Sequence, residues 1–268
     1  FFQQYFQVLQ SCHLSLKRVL MGSTGAITRM VTPMVPQINM HINEKTSSLG
    51  YLRLMQLVSP SLPIGGFTYS QGLEYAVECG WVHDVSTFDE WISGLLDHGM
   101  TYLELPILKR IYIAIQSDNV EDLRYWSHYL LASRESRELR SEEINRAKAL
   151  NTLLPNLGVK YREEMNDAME TTQLSPFALA AISWGISLHD TALGYAWSWL
   201  ENQVAAAIKL VPLGQTQGQQ VQLMMGTRIP HAIDLGLSLN NDEIGASAPA
   251  LGIASARHET QYTRLFRS

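Results

Sequence analysis

The stretch Leu52–Trp81, LRLMQLVSPSLPIGGFTYSQGLEYAVECGW, decides how the rest of the chain is read. Leu54, Leu57 and Val58 recur at helical spacing, and Ser59-Pro60 ends that segment, because a residue before proline is pushed out of the α region. Pro63 sets a second bend. Gly65-Gly66 permits dihedrals or close approaches that a Cβ would forbid. Thr68 followed by Gln71 predicts a capping box opening a second helix. Tyr69, Leu73, Ala76 and Val77 form its apolar face, and Gln71, Glu74 and Glu78 its polar face. Gly80 falls where a left-handed C-terminal cap belongs. Pro63, Gly65, Gly66, Phe67 and Tyr69 thus form a loop held in one shape for a purpose.

Outward from this stretch the helical period continues. Ser86 with Asp89 is expected to cap a helix whose inner stripe is Phe88, Trp91, Ile92, Leu95, Leu96 and Gly99. Pro106 reads as a first-turn residue of the apolar segment through Ile115. Asn119 with Asp122 opens another helix, with Leu123, Trp126, Leu130 and Leu131 inward. Residues 133–154 are the one dense charge run, with Arg134, Arg137, Arg140, Arg146 and Lys148 against Glu135, Glu138, Glu142 and Glu143. Opposite charges three or four apart favour a solvated helix face over a partner-facing one. Residues 155–172 read as a connection between halves.

In the second half, Ser175-Pro176 opens a helix through Leu188. Asp190 caps a longer one lined by Leu193, Ala196, Trp197, Leu200, Val204, Ala207, Ile208 and Val211. Pro212 and Gly214 stop it. Thr216 with Gln219 is read as a further capping box, and Pro230 kinks that helix or starts the next. Abundant Ala and Gly suit a tightly packed bundle or a dimer seam. No useful strand alternation appears, so the fold class is all-α, a single-domain bundle of roughly ten helices. Residues 1–47 are read as an N-terminal extension, disordered or foreign to the natural chain, with Met40 the preferred start. Residues 48–242 form the helical domain. Residues 243–268 form a tail in which Arg257, Arg264 and Arg267 alternate with Tyr262, Leu265 and Phe266, a pattern suited to docking on a partner.

Composition narrows the function classes. The 268 residues are 46% hydrophobic and 17% charged, with net charge −5, which argues against nucleic-acid binding. Two cysteines, Cys12 and Cys79, make no disulfide framework and favour a reducing, cytoplasmic setting. The apolar region 176–211 is too interrupted by polar residues for a membrane span. Walker, dinucleotide, CxxC, HExxH and Gly-x-Ser-x-Gly patterns are missing. The eight histidines show no helical metal-ligand pair, so no metal or catalytic residue is assigned. Glu74 and Glu78, four apart, read as solvated carboxylates. Lys209 complements a helix C-terminus or meets a partner. His189-Asp190 as a base with its orienter, or the Glu74/Glu78 pair, carries the rival reading of a helical small-molecule enzyme. A metal-storage protein is the third.

Three strings, the opening stretch, LENQVAAAIKLVPLGQTQGQ (200–219) and SARHETQYTRLFRS (255–268), together resemble the urease accessory protein UreF family. The resemblance spans about residues 49–268. It implies an all-α, homodimeric, non-catalytic protein. Its implied partners are the accessory protein UreD (UreH in some organisms), the GTPase UreG and urease apoprotein. Its implied role is regulation of GTP-dependent nickel delivery, with nickel in transit and no tightly bound cofactor. By the same resemblance Glu74 and Lys209 are candidates for the UreG-facing surface. The loop Pro63–Tyr69 would shape the interface or ion path, and Arg257, Tyr262, Arg264, Leu265, Phe266 and Arg267 would belong to a tail ordered by UreD.

Overall fold

Backbone hydrogen bonds that close locally, under side chains packed at helical spacing, build most of the described residues. The computed structural model describes residues 45–246 and 248–268; most of the expected 1–47 extension, including Met40, lies outside the described residues. Twelve α-helices occur among the described residues: α1 Ser48–Val58, α2 Leu73–Glu78, α3 Val85–Gly94, α4 Leu105–Gln116, α5 Val120–Ser133, α6 Arg137–Leu153, α7 Asn166–Thr171, α8 Leu174–Ser183, α9 Leu188–Leu210, α10 Gln215–Gly226, α11 Ile229–Ser238 and α12 Pro249–His258. No strand occurs among the described residues. The all-α expectation is met, at about the expected number of helices.

Helix α8 is the centre. Every side chain from Leu174 to Ala181 is buried, and α4, α5, α6 and α7 pack around it. The 23-residue helix α9 packs against α1, α10 and α11. Small residues set these approaches, as expected. A methyl added at Gly194 on α9 would stand 2.6 Å from Leu54 Cδ1 of α1, and one at Gly236 on α11 would stand 2.8 Å from Thr101 O.

Pro106 does not start a separate helix. The run from α3 to α4 is continuous through a π-helical stretch, Leu95–Glu104. The wider turn lets Leu105 N–H reach Met100 O. Proline cannot serve the Tyr102 carbonyl one turn back, and Gly245 N–H serves it instead at 3.0 Å. The connection after α11 thereby satisfies a defect in the helix it crosses.

Several helix starts differ from the spacing-based expectation. Asp84 and Thr87 make the capping box of α3, not Ser86 and Asp89. Ser187 caps α9 and accepts from Asp190 N–H, so Asp190 is the third helical residue rather than the cap. Gly214 N–H donates to Gln217 Oε1 at 2.8 Å at the start of α10. Thr68 and Gln71 form no capping box. A 3₁₀ turn, Gly66–Thr68, comes first, Gln71 and Gly72 take φ of 52° and 77°, and α2 begins only at Leu73. Asn119 does cap α5, Gly80 does take a left-handed φ of 79°, and Pro230 sits in the first turn of α11.

The charge run is the largest departure. Arg134, Glu142, Glu143 and Arg146 are at most 7% exposed. The face of α6 that carries Glu142, Glu143 and Arg146 turns inward rather than to solvent, and Arg134, just after α5, is buried with it.

Candidate functional site

Two arrangements converge at α2 and α6. The first is the docked tail. Helix α12 packs against α2 and α6, and residues 259–268 run back over the opening stretch. Leu265 N–H donates to Glu74 Oε1 at 2.6 Å and Phe266 N–H to Glu74 Oε2 at 2.8 Å. Arg267 N–H donates to Thr68 O, and Ser70 N–H to Ser268 O, each at 2.8 Å. Ser70 Oγ also donates to Ser268 O. His258, fully buried, places Nδ1 2.6 Å from Glu138 Oε2 and Nε2 3.1 Å from Glu74 Oε2. Arg264 Nη1 bonds Glu138 Oε1 at 2.9 Å. The bonds that end on the Glu74 and Glu138 carboxylates are of the charge-assisted kind, stronger than those to backbone carbonyls.

Glu74 is therefore not on a solvated face. It is 7% exposed and both its oxygens are occupied. Glu78 is exposed, so the two glutamates share no pocket. Phe266, expected to enter a partner, is buried in its own chain and lies under Lys209, whose Nζ is 5.5 Å from the ring centroid. Lys209 is exposed, as are Arg257, Tyr262, Arg264, Leu265 and Arg267. Within the loop Pro63 and Phe67 face outward, while Gly66 and Tyr69 are buried.

The second arrangement is a seam of buried charge. Arg134 bridges Glu104 at 3.0 Å and Glu143 at a shorter contact. Glu143 also accepts from Thr172 Oγ1 at 2.8 Å. Tyr195 donates to Glu104 at 2.5 Å and accepts from Gln173 Nε2 at 3.1 Å. Glu142 Oε1 takes Gln71 Nε2 at 3.0 Å and Arg146 Nη1 at 3.1 Å, and its Oε2 takes Ser268 Oγ at 3.1 Å. Gln71 Oε1 in turn accepts from Trp199 and Gln203. The seam and the docked tail thus meet at Glu142.

Burial by itself would lower the Arg134 guanidinium, but Glu104 and Glu143 beside it outweigh that and hold it well above its ordinary value. Burial pushes the Glu142 carboxyl up, only partly offset by Arg146. Burial, then the neighbouring Glu104 and Glu143, raises the Tyr195 hydroxyl far above its usual range. Paired charges of this kind hold one arrangement, since removing a partner leaves the other buried and uncompensated.

Glu104 and Tyr195 are not singled out by the sequence, where Gln71 reads only as a capping and polar-face residue and His258 only as one of eight scattered histidines. Glu104 carried a signal, a lone carboxylate inside the apolar string Tyr102–Pro106. So did α6, where Glu143 and Arg146 continue the spacing of buried Leu139 and Leu150.

The candidate dyad is not formed. His189 lies 3.9 Å from Asp234 on the surface, while Asp190 accepts from Ser187 Oγ at 2.8 Å and from Thr46 Oγ1. Among the described residues no three or more His, Cys, Asp or Glu cluster in a way that could hold a metal ion. Nor is any described helix long and apolar enough to cross a membrane.

Fold and site define an all-α protein whose buried charges fix its own helices and tail, while apolar side chains remain outward. A family model described as UreF matches residues 82–226. Urease accessory protein UreF of Alcanivorax borkumensis is 48% identical over 224 residues, covering 81% of this chain and 98% of that protein. The protein of the same name from Pseudomonas putida (strain W619) is 47% identical over 222 residues, 83% and 99% of the two chains. That from Alkalilimnicola ehrlichii is 44% identical over 225 residues, 84% and 99%. The chain belongs to the UreF family.

Proposed function

We propose that this chain is a cytoplasmic, non-catalytic component of urease maturation. It joins UreD (UreH) to the GTPase UreG and regulates GTP-dependent nickel delivery to urease apoprotein, working as a homodimer. The observation that carries this reading is the 48% identity to a urease accessory protein along 98% of that protein's length.

The docked tail supports a division of labour. Its backbone is held by Glu74, Thr68 and Ser70, so Tyr262, Leu265 and the arginines Arg257, Arg264 and Arg267 stand outward as a fixed surface for UreD. Exposed aromatic and arginine side chains are the residue types that dominate binding energy at interfaces. Lys209 contributes to the UreG-facing surface directly. Glu74 contributes through the tail segment it seats, because its own oxygens are occupied. Nickel is cargo in transit rather than a resident ion. The buried carboxylate Glu104, which lines a cavity with Gln71 and Arg134, supports that route.

Co-purification with UreD and UreG tests the reading. The full chain should be retained by both, and a chain lacking residues 257–268 should lose UreD. Retention of UreD by the shortened chain would contradict the tail assignment. Lys209→Glu should lower urease activation without changing helical content.

A further inference from the structure

The rigid loop after α1 borders a cavity whose polar lining is richer in donors than the chain uses. Arg146 lines it together with Gly66, Asn202, Gln173, Tyr195 and Glu201. The Arg146 side chain is 9% exposed. Its Nη1 is engaged by Glu142, yet its Nε is buried with no hydrogen-bond partner. A buried donor left unmade costs about 1–3 kcal/mol, more when charged, so such a group is expected to have an occupant opposite it.

Further donors lie beside it. Gly65 takes φ 72° and the 3₁₀ turn begins at Gly66. The first hydrogen bond of that turn is Thr68 N–H to Gly65 O, so the Gly66 and Phe67 N–H groups precede it and have no partner within the turn. Successive free amides in such a turn form an anion-accepting concavity. A methyl at Gly66 would stand 3.1 Å from Asn202 Nδ2 and 3.5 Å from Arg146 Nη2. Glycine at 66 therefore lets the loop backbone come up close to Asn202 and the Arg146 guanidinium at the cavity wall.

We infer that this cavity binds a small planar monoanion of the carboxylate or hydrogencarbonate class, held by Arg146, Asn202 and the Gly66–Phe67 amides. A guanidinium edge matches planar oxyanions in particular. Size limits the choice, because the cavity is about 30 Å³, room for roughly two waters. Charge limits it further, since Glu142 already neutralises part of Arg146. Burial pushes the Glu201 carboxyl in the lining up, which softens its repulsion of a monoanion but leaves a dianion disfavoured. The assignment stands apart from the urease reading and is tested without any partner.

The test is titration of the full chain with ¹³C-labelled formate and hydrogencarbonate, followed by ¹³C line broadening. Saturable binding is expected, with sulfate unable to compete. Arg146→Gln removes the donor but also disturbs Glu142. Asn202→Leu, at a half-buried position, fills the cavity without breaking an ion pair and should weaken binding about tenfold or more, with an unchanged circular dichroism spectrum. No saturable binding of either ion overturns the inference, and so does equal affinity in Asn202→Leu. Competition by sulfate overturns the planar monoanion assignment. Tighter binding of N-acetylglutamate amide than of the free ions would assign the site to a protein side chain instead.

Discussion

Helix α1 has one charged residue in eleven and helix α6 has seven in seventeen, yet their exposures run opposite to that difference. On α1, Leu49 and Leu52 are 63% exposed and Met55 66%. On α6, Glu142, Glu143 and Arg146 are nearly sealed from solvent. The difference shows that charged side chains can be buried in this chain where partners satisfy them. The buried α6 carboxylates find partners from other elements, Glu143 in Arg134 and Thr172, and Glu142 in Gln71 and Ser268. The α1 stripe at every third residue finds none among the described residues. Surplus apolar surface of this kind marks an interaction face.

Breaking the buried side of the contrast should produce the largest effect. Arg134→Met leaves Glu104 and Glu143 without their cation and should cost about 3–5 kcal/mol, read as a lowered midpoint in guanidinium unfolding. Glu74→Gln keeps the shape but removes the charge that accepts from the Leu265 and Phe266 amides. A loss of about 1.5–3 kcal/mol in tail docking is expected, measured as faster tryptic cleavage at Arg257, Arg264 and Arg267 with the remaining helices still protected. Gly194→Ala forces the α1 helix away from α9 through the Leu54 contact and should cost about 1–3 kcal/mol in thermal unfolding.

Glu142 sharpens the contrast through pH. Its folded value lies above the ordinary 4.5, so the native state holds the proton more tightly than the unfolded chain. Its contribution to stability is full below 4.5 and is lost as pH rises through the raised folded value. Glu142→Gln should remove that slope, so the stability of the natural chain relative to this variant falls as pH increases across the window. The exposed side should respond least. Leu52→Ser with Met55→Ser should change unfolding stability by no more than about 0.5 kcal/mol per site, while reducing self-association or partner capture.

Much of the helical order was readable from local rules. The stop at Ser59-Pro60, the Asn119 cap and the Gly80 turn depend on neighbours within a few residues. Caps at Asp84, Ser187 and Gly214 were misplaced by two or three residues because several polar residues there compete for the same role. The inward face of α6 was visible as spacing, Leu139, Glu143, Arg146, Leu150, but composition argued for solvent. What decided it was a set of partners from far along the chain, which spacing alone does not reveal. Glu74 is the same case. Its role depends on amides nearly two hundred residues later, and no local pattern marks it. His189 and Asp190 failed as a dyad because adjacent residues on a helix point in different directions.

The most direct measurement of the central claim is urease activation reconstituted from apoprotein, UreD, UreG, nickel, hydrogencarbonate and GTP, with and without this chain. Activation that requires the natural chain, falls with Lys209→Glu and is lost on removing residues 257–268 is the predicted result. Full activation without the chain would contradict the account.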